Sequence, residues 1–515
     1  MDEKSIYTQI IESKTGCKIP LLSNNRTVDS RYDPQKDSLR ICSGIKNETR
    51  FIILTGIASG ILIQTVLQTR PDIFILAVEK SAAELKFLQQ LELIQQLQNN
   101  KRVKFCTLQN LEECILELYI PSFYGNLEVI QQRGWIEENK AIVSDLQAII
   151  QKTLSVVSAD FSVQSHFGKL WQHNIMSNLK LVEKAARFCD IKIDCNKTAI
   201  ILGAGPTLEA KINELITNRT NYYIIATDTA FSIMCNNCIV PDCVVSLDGQ
   251  NISGTHFIHS KAVNLKDTVF LFDLTCNPAA VRRVALSSSK FLFFISGHPL
   301  SKYINSCFDT NFIELFSGAG TVTLSALDFA VKCGFTKILI YGADFAYVNG
   351  KSYAKGTYLD TLYNSQSSRL IPLEKQFDRL LYRTPIQMLS SKKITTSVLA
   401  AYRTSLENFL QANNISFLQK DDSYILDNSQ NQPAYNSKAY TKKADTQIHI
   451  KLAEKIFDKI KTTSVPQQFC DLCAEQICLL PLISWLRFYD NKKKEDFGFY
   501  LQKAADYFKK YLGRN

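Results

Sequence analysis

The feature that most constrains the fold is a regular alternation, between residues 195 and 350, of short apolar runs and helical patterns. The runs are rich in β-branched and aromatic residues, which favour strands. The predicted strands are 198–202, 222–227, 243–247, 269–272, 291–295 and 337–341, and a helix is predicted over 321–333. Strands that alternate with helices form a mostly parallel sheet covered on both faces. The sequence therefore predicts a central α/β domain of Rossmann-like type, whose ligands bind outside the carboxyl ends of its strands.

A chain of 515 residues is too long for one hydrophobic core, so several domains are expected. We expect four regions: a smaller N-terminal Rossmann-like domain over 1–125, a helical connector without strands over 126–190, the central domain over 191–420, and a polar linker with a helical C-terminal region over 421–515. The linker prediction depends on the polar composition of 421–446. The final helical region is predicted from apolar residues at helical spacing, namely Leu452, Ile456 and Ile460.

The N-terminal region has a strand, a glycine turn, a helix and a second strand between residues 51 and 79. Glu79 closes the second strand about 20 residues after the turn, as an acidic residue does in dinucleotide-binding folds. The glycine signature is incomplete, because the turn contains only Gly56 and Gly60. A scaffold without a cofactor is therefore favoured over a working ligand site.

Charge and hydropathy exclude two classes of function. The net charge of +10 is spread over the chain, and its basic runs, such as Lys492–Lys494, are too short for a nucleic-acid-binding surface. The charge-free segment between Arg50 and Arg70 is long enough to cross a bilayer. Because it contains the glycine turn, we interpret it as a buried strand, turn and helix. We expect neither nucleic-acid binding nor membrane insertion.

The 15 cysteines have no regular spacing, which indicates a reducing compartment and hence a cytoplasmic protein. Two C-x-x-C pairs, Cys235/Cys238 and Cys470/Cys473, have no histidine nearby. Both pairs are interpreted as buried helical thiols rather than as metal or redox sites.

The sharpest local motif is a strand that runs into Gly203, Ala204, Gly205, Pro206 and Thr207 and then into a predicted helix. Glycines let backbone N–H groups approach a ligand closely, and a helix start favours an anion such as phosphate. We therefore predict a nucleotide phosphate site here, with a tight turn that binds no ligand as the alternative.

Two neighbouring strands end in Asp228 and Asp248, and a small-residue turn with Ser317, Gly318 and Thr321 begins the helix over 321–333. The carboxyl ends of parallel strands meet at one edge of the sheet, so these residues are expected to share a crevice with the glycine turn. The carboxylates would accept hydrogen bonds from sugar or ribose hydroxyls. The hydroxyls and free N–H groups at the helix start would bind a phosphate.

These motifs resemble a known family. The segments 203–208, 241–248 and 317–347 are similar to the central domain of the motility-associated factor (Maf) flagellin glycosyltransferases. That domain is similar in turn to bacterial sialyltransferases and to the MptE-like hydroxymethylpterin pyrophosphokinases. The resemblance implies a CMP-activated nonulosonic acid (pseudaminic, legionaminic or sialic-acid-like) as donor, Ser/Thr hydroxyls of flagellin as acceptors, transfer in the cytoplasm, and a role in flagellar assembly and motility.

The resemblance also implies catalytic roles. In the similar sialyltransferases two tyrosines stabilise the departing phosphate, and Tyr347 and Tyr353 stand at the matching places. A phenol that stays protonated donates a hydrogen bond to the oxygen on which charge builds. Lys351 and Lys355 are further candidates for this role.

The general base is not assigned by the resemblance. Those sialyltransferases have a histidine after the second tyrosine, but this chain has none between His298 and His449. Asp344 and Asp248 are the candidates, and His256, His259 and His298 are more often structural. The chain also departs from the sialyltransferase pattern at Ala204, Asp228 and Asp248, where those enzymes have asparagine; the two aspartates follow the Maf pattern instead. It departs from the Maf pattern at Tyr353, where Maf sequences usually have histidine.

The chain has no Asp-x-Asp motif at a strand end, so we expect an inverting transfer without a metal and without a cofactor other than the CMP-activated substrate. Two alternatives remain. One is a pyrophosphokinase that uses ATP, a divalent metal and a pterin alcohol. The other is a flagellin-binding protein with a decayed site.

Overall fold

A computed structural model describes residues 5–258, 263–287, 290–308, 310–318, 320–420, 422–433, 447–490 and 495–512. The chain divides into two compact units. The first comprises Met1–Lys169 and Lys455–Lys510, and the second comprises Leu170–Glu454 and Tyr511–Asn515. Within the described residues, no helix combines the length and the apolar composition that a bilayer span requires.

The first unit is built on a parallel sheet in the order β5-β4-β3-β6. Its strands are β3 (Thr49–Thr55), β4 (Phe74–Glu79), β5 (Val103–Thr107) and β6 (Asn126–Gln131), and an antiparallel hairpin of β1 (Tyr7–Glu12) and β2 (Lys18–Leu22) precedes them. β6 lies in the stretch expected to be helical, so that prediction is wrong for 126–131. The predicted strand, turn and helix between Arg50 and Arg70 are confirmed.

Helices complete the first unit. They are α1 (Pro34–Ser43), α2 (Ile61–Thr69), α3 (Ala82–Leu88), α4 (Glu92–Gln98), α5 (Leu111–Leu118), α6 (Pro121–Tyr124), α7 (Arg133–Glu138), most of α8 (Lys140–Leu179), most of α17 (Ile448–Thr462), α18 (Ala474–Ile477), α19 (Leu480–Tyr489) and α20 (Phe497–Asp506). The helix predicted from Leu452, Ile456 and Ile460 is confirmed, since α17 buries all three side chains.

The glycine turn of the first unit is filled by protein. Gly56 has φ +85°, and a Cβ there would lie 2.7 Å from Cβ of Trp135. Glu79 is fully buried and accepts hydrogen bonds from Ile57 N–H (2.7 Å), Tyr7 Oη–H (2.9 Å) and Trp135 Nε1–H (2.8 Å). Because the acid and the space over the turn are both occupied, the geometry supports the scaffold interpretation of this region.

The second unit contains, within its described part, a nine-stranded sheet in the order β12-β11-β10-β9-β8-β7-β13-β18-β17. The strands from β12 to β13 in this order are parallel to one another. β18 pairs antiparallel with β13, and β17 pairs antiparallel with β18. The bounds are β7 (Thr198–Leu202), β8 (Tyr222–Thr227), β9 (Cys243–Ser246), β10 (Val269–Asp273), β11 (Lys290–Ile295), β12 (Ile313–Glu314), β13 (Lys337–Tyr341), β17 (Ser416–Lys420) and β18 (Ser423–Asp427). The six predicted strands and the mostly parallel sheet are thereby confirmed.

A smaller sheet of β14 (Tyr347–Val348), β16 (Lys393–Thr396) and β15 (Ile386–Ser390) follows the central strands. The helices of this unit are α9 (Ile212–Thr217), α10 (Asp228–Asn236), α11 (Pro278–Leu286), α12 (Pro299–Cys307), α13 (Val322–Cys333), α14 (Tyr358–Gln366), α15 (Leu373–Leu381) and α16 (Ser397–Ala412). The helix predicted over 321–333 is confirmed as α13, which ends where Gly334 takes φ +89°.

Two further expectations need correction. The polar stretch 421–446 is not wholly a linker, because β18 lies in it and buries Tyr424 and Leu426. Residues 434–446 and the basic run Lys492–Lys494 lie outside the described residues. The thiols of Cys235 and Cys238 also differ in environment, since Cys235 is buried and Cys238 is exposed.

The second C-x-x-C pair departs from the prediction as well. Cys470 is exposed and Cys473 is half-buried, so neither is the buried thiol that was expected. Cys470 lies in a short 3₁₀ turn, and Cys473 precedes α18.

Strand order places a topological switch point between β7 and β13. From β7 the chain moves outward through β8 to β12 and then returns to the other side of β7. Ligands of open α/β sheets bind at the carboxyl ends of the strands beside such a point. The loops that follow β7, β8, β9 and β13 are therefore the elements on which a site is to be sought.

Candidate functional site at the carboxyl edge of the central sheet

The glycine turn after β7 packs directly on the loop after β13. Gly203 N–H donates to Tyr341 O and Gly205 N–H donates to Gly342 O, each at 2.8 Å. A Cβ on Gly203 would lie 2.4 Å from Gly342 O, so only glycine permits this approach. After Pro206, a 3₁₀ turn precedes α9. The predicted strand-to-helix turn is confirmed, but these two amides are not free to bind a phosphate.

Asp344 closes the same crevice from the β13 side. Its carboxylate accepts hydrogen bonds from Thr207 N–H (3.0 Å) and from the Thr207 hydroxyl. Burial raises the pKa of Asp344, and the bonds from Thr207 oppose that rise. The Thr207 amide is thus also occupied by protein, and Asp344 holds the turn in place.

Asp228 begins α10 and is almost fully buried. Its two carboxylate oxygens accept hydrogen bonds from Thr229 N–H (2.7 Å) and Ser246 Oγ–H (2.7 Å). The side chain therefore braces the end of β8 against β9. Interaction with Asp228 contributes to the raised pKa values of Asp248 and Tyr353.

Asp248 is half-buried two residues beyond β9. Oδ1 accepts a hydrogen bond from Gln250 N–H (2.9 Å), while Oδ2 has no hydrogen-bond partner among the described residues. Burial raises the pKa of Asp248, and the charge of Asp228 adds to the rise. Of the three predicted acids, Asp248 is the one with a carboxylate oxygen available to a ligand.

Three tyrosines lie near these acids, namely Tyr353, Tyr358 and Tyr402, and a fourth, Tyr347, lies near Tyr353. Burial raises the pKa of Tyr353 to about 12, with smaller contributions from the charges of Tyr347 and Asp228. Burial likewise raises the pKa of Tyr358 and of Tyr402, and Asp248 contributes to both shifts. Tyr347 is half-buried on β14, and Tyr353 is 37% exposed. The cluster therefore offers protonated phenol groups beside two carboxylates.

Sequence reasoning missed Tyr358 and Tyr402. They lie on α14 and α16, far along the chain from the motifs, and no pattern in the sequence marks them. It also missed the hydrogen bonds that two asparagine side chains of α8 donate to the loops after β9 and β10. Asn174 donates to Gly249 O and Thr275 O, and Asn178 donates to Leu274 O and Cys276 O, at 2.9–3.0 Å. Their spacing of four residues on a helix was the available signal.

The histidines differ in their surroundings. His298 is buried, caps α12 by accepting Leu300 N–H at Nδ1 (3.2 Å), and has a pKa lowered by burial to about 3. This matches its structural interpretation. His256 is 6% exposed in a 3₁₀ turn between β9 and β10, and its ring meets that of Tyr358 edge-on at 4.6 Å. His259 lies outside the described residues.

A cavity of about 430 Å³ lies beyond the ends of β11 and β12. It is lined by Ser317 and Gly318 together with Ser296, Gly297, Lys302, Glu314, Leu315, Phe316 and Lys332. None of the described residues in the loops after β7, β8, β9 and β13 belongs to its lining. Thr321 is the N-cap residue of α13 and makes no side-chain capping bond, so its hydroxyl is not used by the helix.

The two lysines near Tyr353 both bind Glu209, one through its side chain and one through its backbone. Lys351 Nζ pairs with Glu209 Oε2 at 2.9 Å, and Lys355 N–H donates to Glu209 Oε1 at 2.9 Å. Among the described residues, no group of three or more His, Cys, Asp or Glu side chains is placed to hold a metal ion.

Comparison with known proteins identifies relatives. A sequence model of the family described as 6-hydroxymethylpterin diphosphokinase MptE-like matches residues 172–350, the range that contains β7 to β13. An uncharacterized protein of Treponema pallidum (strain Nichols) is 34% identical over 180 residues, which are 35% of this chain and 80% of that protein. The chain belongs to the same family as that protein.

Two further uncharacterized proteins of the same organism are 41% identical over 115 residues and 28% identical over 235 residues. These matches cover 22% and 44% of this chain, and 40% and 39% of those proteins, respectively. The chain thus spans about two fifths of the length of either protein.

A solved structure extends the likeness. The Maf glycosyltransferase from Magnetospirillum magneticum AMB-1 aligns with 99% of this chain and 87% of its own, at a TM-score of 0.51 and 11% identity. The chain has the fold of that protein. The resemblance to the Maf and MptE-like proteins and the Rossmann-like α/β fold class are therefore confirmed.

Proposed function

We propose that the protein is a glycosyltransferase that moves a nonulosonic acid, of pseudaminic, legionaminic or sialic-acid type, from a CMP-activated donor to Ser/Thr hydroxyls of flagellin. The reaction takes place in the cytoplasm and serves flagellar assembly and motility. One observation carries the proposal: Tyr353, Tyr358 and Tyr402 cluster with Asp228 and Asp248 at the carboxyl edge of a sheet that has the Maf glycosyltransferase fold.

In this proposal Tyr347 and Tyr353 assist departure of CMP. The raised pKa of Tyr353 keeps its phenol protonated at neutral pH, so it donates a hydrogen bond without adding charge. Such a donor stabilises the phosphate oxygen on which negative charge builds in the transition state. The transfer is inverting and needs no metal ion.

The remaining predicted residues hold the donor. Asp248 accepts a hydrogen bond from a donor hydroxyl through its available Oδ2, while the buried Asp228 fixes the loop geometry. Ser317, Gly318 and Thr321 bind the nucleotide phosphate at the start of α13, where the first-turn N–H groups favour an anion. Gly203, Gly205, Pro206 and Thr207 form the rigid floor of the site.

Asp344 has a positioning role in this scheme. Because both bonds from Thr207 end on its carboxylate, Asp344 is not available to remove a proton from the acceptor. The same argument applies to Asp228, whose two oxygens are also bonded.

The match of residues 172–350 to the MptE-like family favours one other function, pyrophosphoryl transfer from ATP to a hydroxymethylpterin. That reaction requires a divalent metal, whereas the proposed sugar transfer does not. Isothermal calorimetry with CMP and with Mg·ATP, each repeated in excess EDTA, separates the two. We expect binding of CMP that survives EDTA and no binding of ATP.

Opposite results decide for the alternatives. Binding of Mg·ATP that EDTA abolishes, without affinity for CMP, supports the pterin enzyme. No affinity for either nucleotide supports a flagellin-binding protein with a decayed site.

A further inference from the structure

The acceptor hydroxyl must lose a proton during transfer, and the carboxylates of Asp228 and Asp344 are both bonded within the protein. Asp248 has an available carboxylate oxygen, but the proposed function assigns that oxygen to a hydroxyl of the donor. The proton acceptor is therefore sought elsewhere at the same edge of the sheet. The inference that follows rests on the proposed function and assigns this step.

His256 is the buried imidazole closest in sequence to the Asp248 loop. It lies in the 3₁₀ turn Asn251–Phe257 and is 6% exposed. Its Nδ1 is fully buried and has no hydrogen-bond partner among the described residues. A buried polar atom without a partner is uncommon in native proteins and calls for an explanation, such as a ligand that completes it.

The turn is fixed to Asp248 by its own hydrogen bonds. Ser253 Oγ–H donates to Asp248 O (2.9 Å), and Gln250 N–H donates to Asp248 Oδ1 (2.9 Å). These bonds keep the imidazole and the carboxylate on one short loop after β9. A positive charge on His256 acts on Asp248, where it opposes the rise in pKa that burial causes.

Tyr358 of α14 contacts the imidazole edge-on, with the two ring centroids 4.6 Å apart and the ring planes at 87°. Tyr358 is one of the phenols that sense the charge of Asp248. His256 therefore contacts one of the tyrosines and lies near enough to Asp248 for its charge to act on that carboxylate. His298 also buries a ring nitrogen, Nε2, that has no partner among the described residues, but its Nδ1 is used as a helix cap. Of the two histidines, only His256 is among the groups whose charge affects the pKa of Asp248.

We infer that His256 accepts the proton of the acceptor hydroxyl and that the carboxylate of Asp248 stabilises the imidazolium that forms. The acceptor oxygen forms its bond to the anomeric carbon of the sugar. The bond from that carbon to the phosphate oxygen breaks, and its electron pair leaves with CMP. The proton passes to the imidazole and is later released to solvent.

The test compares His256→Ala and His256→Asn with wild type in transfer from a CMP-activated nonulosonic acid to flagellin, followed by CMP release. Loss of a general base lowers turnover by about 10²–10⁴-fold. We expect this loss in both variants while the Kd for CMP changes by less than about twofold, because the base acts in the transition state and not in donor binding. Added imidazole should restore part of the activity of His256→Ala.

His298→Asn is the matched control, since asparagine also caps helices and the replaced histidine is equally buried. We expect it to transfer sugar like wild type. The inference is overturned if either His256 variant keeps turnover within about threefold of wild type, or if turnover and CMP affinity fall together, which marks a structural role. If wild type neither binds CMP nor transfers sugar, the proposed function itself fails and the inference falls with it.

Discussion

The two glycine turns of the molecule have the same local plan and different surroundings. The turns at Gly56 and Gly203 each follow a buried parallel strand. In the first unit, Trp135 fills the space over the turn, and Glu79 is fully buried and accepts three hydrogen bonds. In the second unit, Asp248 lies near phenol groups and has one carboxylate oxygen without a partner among the described residues. The glycine turn alone does not indicate a ligand site; the side chains that converge on it decide.

The largest effect is expected from removing the side chain that fills the space over the turn at Gly56. Trp135→Ala removes a fully buried indole and leaves Trp135's hydrogen bond to Glu79 unmade. Replacing a buried Trp by Ala typically lowers the free energy of unfolding by about 3–5 kcal/mol. Urea unfolding measures this, with the exposed Tyr32→Ala as a control expected to change stability little. A decrease in the free energy of unfolding of less than about 1 kcal/mol would show that Trp135 does not support the turn.

The next largest effect tests whether the tyrosines of the second unit act in catalysis. Tyr347→Phe and Tyr353→Phe each remove one phenol hydroxyl and keep the ring. Removal of one donor that stabilises a developing negative charge lowers turnover by about 10²–10³-fold. We expect that loss in kcat with a smaller change in the Kd for CMP. Full activity in both variants would remove the tyrosines from the leaving-group role.

A smaller effect tests why the second turn needs glycine. In Gly203→Ala the new Cβ meets Gly342 O at 2.4 Å, and both partners are backbone. Overpacking of this kind lowers the free energy of unfolding by about 1–3 kcal/mol. The control is Gly44→Ala, whose Cβ meets only Ile41 O at 3.4 Å. Equal stabilities of the two variants in thermal unfolding would argue against a close backbone approach at Gly203.

The smallest effect concerns the pH dependence of stability in the first unit. Burial raises the pKa of Glu79 to about 7 and that of Asp29 to about 6. Since the folded protein holds these protons more tightly than the unfolded chain, their contribution to stability is complete below about pH 4 and is lost as the pH rises to about 7.

Glu79→Gln isolates that contribution. The amide cannot titrate, so the decrease in stability between pH 5 and pH 8 should become shallower than in wild type. The NH₂ group of the introduced glutamine would also meet hydrogen-bond donors at a place where the carboxylate of Glu79 accepts hydrogen bonds. Because this leaves buried donors unpaired, the free energy of unfolding should fall by about 1–3 kcal/mol at every pH. An unchanged pH dependence in denaturant unfolding would show that Glu79 is not the titrating group.

Much of the fold follows from local sequence. β7, β8 and β13 begin and end where the apolar runs do, because central parallel strands are buried on both faces. β6 was missed because it is an edge strand in which every residue is half-buried or exposed. β18 was missed because polar residues surround it, although Tyr424 and Leu426 are buried.

The site was less accessible to sequence reasoning. Strand ends directed attention to Asp228, Asp248 and Asp344, but the hydrogen bonds of these residues depend on partners elsewhere in the chain. Thr207 and Asp344 are 137 residues apart, and their bonds turn an expected catalytic acid into a support for the turn. The placement of Tyr358 and Tyr402 depends on how α14 and α16 pack, which no local pattern specifies.

The central claim is tested most directly by mass spectrometry of flagellin from cells with and without this protein. The account predicts that flagellin from cells with the protein carries Ser/Thr-linked nonulosonic acid and that the modification is absent without it. Identical flagellin masses in the two cell types, modified or not, would contradict the proposed transfer.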